Sequence, residues 1–176
     1  MIAIVLLLGP PPPAESAGQA HAAKRRCGGD QRTPQVRDFA RSLLCLHNRE
    51  RRAHGLRSLR RSRVLVRAAR AHAGDMVRGH YFDHVSRLGR TVSDRVGRAG
   101  YGRARGFAVG ENIFYGLPPL PTPGQVFAAW MASAGHRSQV LNGRWRELGL
   151  GIVMRAPVRG RSGVTVVAVF GARPGR

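Results

Sequence analysis

Seven histidines, four glutamates and two cysteines carry most of the chemistry open to this chain of 176 residues. His80 and His84 stand four apart, a spacing that puts two imidazoles on one helix face, but no glutamate follows His80 as a helical zinc-protease motif requires. Ser133, His136 and Glu111 can be written as nucleophile, base and orienter. The simpler role for Ser133, three positions before His136, is to cap the segment that contains that histidine. Asp83 and Glu111 make no convincing glycosidase pair, because nothing in the sequence sets their separation or raises one pKa. Cys27 and Cys45 are an even count without Cys-x-x-Cys spacing, which in an exported chain reads as one disulfide. His84 and His136 lie far apart in the chain, and spacing alone gives no reason to join them.

The elements that must position these residues follow from periodicity. Val36, Phe39, Leu43 and Leu46 recur at steps of three and four, the buried stripe of a helix ending near Gly55. Ser62 can cap a second helix with Leu65, Ala68, Ala69, His72, Ala73 and Met76 on its inner face, where the alanines imply close packing and His72 reads as a hydrogen-bonded core residue. A short helix begins near Thr91. Phe107 to Tyr115 reads as a strand in which Glu111 shares a face with Val109, Ile113 and Tyr115, and a carboxylate buried there needs partners. Thr122-Pro123-Gly124-Gln125 supplies a cap, a proline at the first helical position and the glutamine of a capping box. After a turn at Ser133 and a brief helix, Leu148 to Met154 alternates with Gly149 and Gly151, a strand with one nearly bare face against which something must pack closely. Val164 to Phe170 is apolar on both faces, as a central strand covered by two layers should be. Helices before, between and after few strands predict an α+β domain, a three-layer α-β-α sandwich.

Length and composition bound the rest. The size is that of one domain, with 43% apolar residues and no run long enough to span a bilayer as a helix. Residues 1–22 read as a signal peptide, with the apolar run Ile2 to Leu8 and an Ala20-His21-Ala22 cleavage site. Its n-region is a bare Met1, which places the expected true start upstream. Residues 23–35 read as a linker and 36–172 as the domain. The formal net charge is +21, yet Lys24 is the only lysine and the arginines are scattered through every segment. Such scatter points to arginine-biased coding ahead of an anionic wall or lipid surface, and it argues against specific nucleic-acid recognition.

Several segments resemble the CAP superfamily of cysteine-rich secretory, antigen 5 and pathogenesis-related proteins, in its bacterial branch. Leu44-x-x-x-Asn48-x-x-Arg51-x-x-x-Gly55-Leu56-x-x-Leu59 resembles the family's first helix and turn, and Ala69-x-x-His72-Ala73-x-Asp75-Met76 its second. Phe82-Asp83-His84, with Gly89-Arg90-Thr91 and Asp94-Arg95, resembles the loop of the first site histidine. Gly110-Glu111-Asn112-Ile113 resembles the signature glutamate strand. Trp130 to Asn142 resembles the segment of the second site histidine, and Glu147 to Gly151 the strand after it. The resemblance implies a shared cleft at His84, Glu111, Ser133 and His136, in which His84 and His136 hold one divalent zinc-like ion and Glu111 is a ligand or orients an imidazole. Family members with the full site have a second acid where this chain has Ser133, and their Thr-x-x-Phe-Gly strand end is spaced differently from Thr165 and Phe170-Gly171 here. The implied function is a secreted or wall-associated, non-catalytic binding module for a small apolar, lipid-like or cell-envelope ligand. The alternative is a metal-dependent hydrolase or peptidase using the same cleft.

Overall fold

The computed structural model describes residues 27–29, 35–102 and 107–174. The expected leader, and the linker apart from Cys27–Gly29 and Gln35, lie outside the described residues. Among the described residues five helices and four strands follow in order: α1 (Val36–Ala53), β1 (Arg60–Arg61), α2 (Arg63–Gly79), α3 (Val92–Arg98), β2 (Ala108–Gly116), α4 (Pro123–Ala132), α5 (Ala134–Val140), β3 (Glu147–Val153) and β4 (Val164–Ala172). The sheet order is β1-β3-β4-β2, with β4 antiparallel to both neighbours and β1 parallel to β3.

Period-two alternation along β4 builds the two cores. Val164, Val166, Ala168 and Phe170 face α1, α4 and α5, among Phe39, Leu43, Phe127 and Trp130. Val167 and Val169 face the opposite way, onto Leu65, Ala69, Ala73 and Met76 of α2 and Val96 of α3. The result is the expected three-layer α-β-α sandwich, with Val164 to Gly171 of β4 buried throughout. The bare face of β3 also has its partner: a Cβ added at Gly149 would fall on the backbone of Leu65 and Val66, and one at Gly151 on that of Ala69 and Arg70. Helix α2 therefore lies directly on the strand.

Two capping boxes fix helix starts, Thr91 with Asp94 for α3 and Thr122 with Gln125 for α4. Ser62 occupies the N-cap position of α2, but its side chain makes no cap bond. Its backbone N–H donates instead to Leu148 O at 3.0 Å, extending the short β1–β3 pairing that the periodicity did not reveal. Cys27 and Cys45 form a disulfide that ties the Cys27–Gly29 segment to α1. Closing a loop of 18 residues stabilises the fold by about 3 kcal/mol in the chain-entropy account.

Not every arginine is surface charge. Arg51 is fully buried, and its guanidinium donates to the carbonyls of Arg57, Val140, Asn142 and Trp145 at 2.8 to 3.3 Å. It thereby fastens α1 to the turn after it and to the α5–β3 connection. Asn48 of α1 grips Leu59 through both its backbone groups, at 2.6 and 3.0 Å. His47 is buried among Phe127, Trp130 and Phe170. Its Nδ1–H donates to Leu43 O at 2.7 Å, which leaves the Nε2 lone pair without a partner among the described residues. Burial above all pushes its pKa down from 6.5 to about 4.

Gly151→Ala should cost at least about 2 kcal/mol in urea unfolding, because α2 must move off the sheet. Gly135→Ala, where an added Cβ meets nothing within 4 Å, should cost nothing; equal midpoints for the two variants would refute the close approach. His47 generates a pH dependence whose sign is fixed by its depressed pKa. Between about 6.5 and about 4 the unfolded chain takes up a proton that the folded protein refuses, so stability falls as pH falls through that window. The loss is about 3 kcal/mol in total. His47→Leu should flatten that part of the stability–pH curve; an unchanged slope would mean that the imidazole is not held neutral.

Candidate functional site

Glu111 and Asn112 lie side by side on β2, the strand that ends the sheet on the side away from β1. Glu111 projects toward the α2–α3 layer, as alternation with Val109 and Ile113 requires. Its neighbour Asn112 serves the other layer, donating from Nδ2 to His136 O in α5 at 3.0 Å. Two adjacent residues of one strand thus face the two helical layers.

The Glu111 side chain is 2% exposed and both its oxygens are engaged. His84 Nδ1 donates to Oε1 at 2.9 Å, and Arg95 Nη2 donates to Oε2 at 2.7 Å. Arg95 also donates from Nη1 to His84 O and Arg90 O, so one guanidinium holds the carboxylate and both ends of the histidine loop. Within that loop Asp83 Oδ1 accepts from Val85 N, and Ser86 bonds Arg90 through backbone and hydroxyl. The Thr91–Asp94 capping box then starts α3 so that Arg95, one residue later, faces Glu111.

The two imidazoles are driven apart in protonation. Hydrogen bonding to Glu111 raises the pKa of His84, while burial lowers that of His136 and the charge on His84 lowers it further. With Nδ1–H on Glu111, His84 turns Nε2 outward, an orientation set by its carboxylate partner. Ser133 lies at the α4–α5 junction and His136 in the first turn of α5, in the helical layer to which Asn112 bonds.

Ser133 does not cap α5 through its side chain, as the spacing predicted. It sits in extended conformation between α4 and α5, and its carbonyl accepts from Arg137 N at 2.8 Å. Among the described residues no hydrogen bond joins it to His136 or Glu111, so no nucleophile–base–orienter chain is assembled. Asp83 is spent on its own turn, apart from Glu111. His72 is the core residue its position suggested, donating from Nε2 to Asp83 O at 2.9 Å. Among the described residues no group of three or more His, Cys, Asp or Glu side chains is arranged to hold a metal ion.

Sequence reasoning did not anticipate Arg95 as the partner of Glu111. A buried carboxylate in an arginine-rich chain announces the need for a cation but does not say which. It also passed over an apolar rim: Phe82, Val85 and Tyr115 are each about two-fifths exposed beside His84, with the Phe82 and Tyr115 rings edge-to-face at 4.8 Å.

Known proteins resemble this chain in sequence and fold. Bacillus subtilis YkwD is 32% identical over 139 residues, covering 78% of this chain and 52% of its own length. The B. subtilis membrane protein YlbC is 29% identical over 143 residues, covering 80% and 39%. The chain therefore spans about half or less of these relatives. Among solved structures, an extracellular SCP-domain protein from Bacillus anthracis superposes with a TM-score of 0.59 at 24% identity, covering 81% of this chain and 45% of that one. An outer surface protein from Borrelia burgdorferi superposes with a TM-score of 0.66 at 19% identity, covering 79% and 96%. These two show the common fold. Residues 44–170 match the model of the cysteine-rich secretory protein family, and with the three-layer fold and the Glu111 strand in place, the chain belongs to the CAP superfamily.

Proposed function

We propose that this is an exported CAP-domain binding module whose cleft at His84, Glu111, Ser133 and His136 takes a small apolar, lipid-like or cell-envelope ligand without turning it over. The observation that carries this reading is the exposed rim of Phe82, Val85 and Tyr115 beside His84, apolar area that water disfavours and a ligand would cover. The extracellular and outer-surface relatives support export. Among the described residues no helix is long and apolar enough to cross a membrane. The net charge of +21 adds a salt-sensitive attraction to an anionic wall or lipid surface, with no preference for a nucleic-acid sequence.

A metal-dependent hydrolase with Glu111 as base is the weaker reading, because the Glu111 carboxylate is held by the Arg95 guanidinium and the His84 imidazole, and the arginine's charge makes it a poorer base. A divalent zinc-like ion held by His84 Nε2 and His136 is compatible with that arrangement, Glu111 acting as the group that orients His84. With Ser133 where relatives carry a second acid, such an ion is held loosely.

One set of proteins tests both points: the parent, Phe82→Ala with Tyr115→Ala, His84→Ala and His136→Ala. Titration with a fluorescent acyl-chain probe should show at least about tenfold weaker binding for the double aromatic variant, the loss expected when a buried aromatic contact is removed. Zinc calorimetry should show weak binding by the parent, none by either histidine variant, and tighter binding by Ser133→Glu. Equal probe affinities would remove the apolar-ligand reading; equal zinc isotherms for the parent and both histidine variants would remove the ion.

A further inference from the structure

At the opposite edge of the sheet from the histidine cleft, β3 is left half unpaired. β1 covers only Glu147 and Leu148, although β3 continues to Val153. Leu148 O accepts from Ser62 N on the β1 side, so period-two alternation turns the N–H and C=O of Leu150 and Ile152 to the same open edge. Among the described residues no hydrogen bond reaches them from that side. They line a groove of about 590 Å³ that runs between α1 and α2. Ala40 and Leu44 of α1 and Val66 of α2 give it apolar walls, and Arg37, Arg41, Arg61 and Arg70, all exposed, stand around it with no carboxylate among the lining residues. Arg41 alone of these four has an acidic neighbour, Asp38 at 3.4 Å.

We propose that this edge is a binding site for an extended acidic peptide segment of a partner protein, which adds to β3 as a further strand. Three properties of the groove select that occupant. Orphaned donors and acceptors spaced two residues apart call for another backbone, which an acyl chain cannot supply; burying them under hydrocarbon would be costly. The free stretch from Gly149 to Val153 is about 17 Å long, the reach of a five- or six-residue strand. Four arginines without lining acids call for carboxylates on alternate side chains. The same charge disfavours occupants from this chain: Lys24-Arg25-Arg26 precede Cys27, residues 173–176 carry two more arginines and no acid, and a second copy brings another net charge of +21. Arginines at an open edge also discourage self-pairing, so the site is closed to this protein's own strands and open to an acidic one.

The test uses a labelled six-residue peptide alternating glutamate and valine, followed by fluorescence anisotropy and by amide NMR of the whole protein. The glutamate peptide should bind, should shift the Leu150 and Ile152 amides and should slow their hydrogen exchange at least tenfold. Arg41→Glu with Arg70→Glu, both at exposed positions, should weaken binding at least tenfold while the rest of the spectrum stays folded. Two further peptides, methylated on the backbone nitrogens of the valines or of the glutamates, separate strand addition from simple charge attraction: at least one should lose binding tenfold. The proposal is overturned if no peptide binds, if a lysine–valine peptide binds equally well, if both methylated peptides bind like the parent, or if palmitate alone moves the Leu150 and Ile152 amides.

Discussion

A carboxylate whose side chain is 2% exposed cannot sit at the edge of a sheet as a bare charge, and the organisation of the cleft follows from how Glu111 is satisfied. Arg95 and His84 each take one oxygen. Arg95 comes from α3, His84 from the loop before it, and Glu111 from β2, so three separate pieces of chain meet on one functional group. The further bonds from Arg95 to the carbonyls of His84 and Arg90 close the loop on itself. His84 is therefore placed by electrostatics, whereas His136 is placed by packing and by the bond from Asn112 to its carbonyl. The clamp also sets the electrostatics: the bond to Glu111 raises the pKa of His84, while burial lowers that of His136.

The layers behind the cleft rest on a different constraint, the bare face of β3. Gly149 and Gly151 let α2 lie against the strand backbone, and that closeness brings α2 and the loop after it into register with β2. On the other face Arg51 and Asn48 do for α1 with hydrogen bonds what the glycines do for α2 by omission of side chains. The two edges of the sheet differ accordingly: β2 carries Glu111 beside His84, while the far end of β3 is bordered by arginines.

Much of this was legible before any coordinates, where the physics is local. Helix stripes, the Thr122 capping box, the glycine alternation and the doubly apolar β4 each declare themselves within a few residues, and the single cysteine pair left little choice of partner. What the chain hides is long-range pairing. β1 is two residues of arginine with no pattern to read, and it exists because β3 offers it an edge. Arg95 and Arg51 look like any of the other arginines until the fold surrounds them. Ser62 and Ser133 stand where caps belong, yet their side chains make no cap bond, and the backbone of each forms the bond that counts there. The resemblance of six segments to one family singled out His84 and Glu111, which periodicity could not join and which are hydrogen-bonded in the fold.

The central claim is that Glu111 acts as the tie of the cleft, coupled to Arg95, rather than as a free base. A double-mutant cycle on folding stability with Glu111→Gln, Arg95→Met and the double variant measures that coupling directly. Each single variant should lose about 3 kcal/mol, because each strands a buried group, and the double variant should recover at least about 1.5 kcal/mol of the summed loss. Losses that simply add would contradict the account, since Glu111 would then stand independently of Arg95 and be free to serve the cleft in another role.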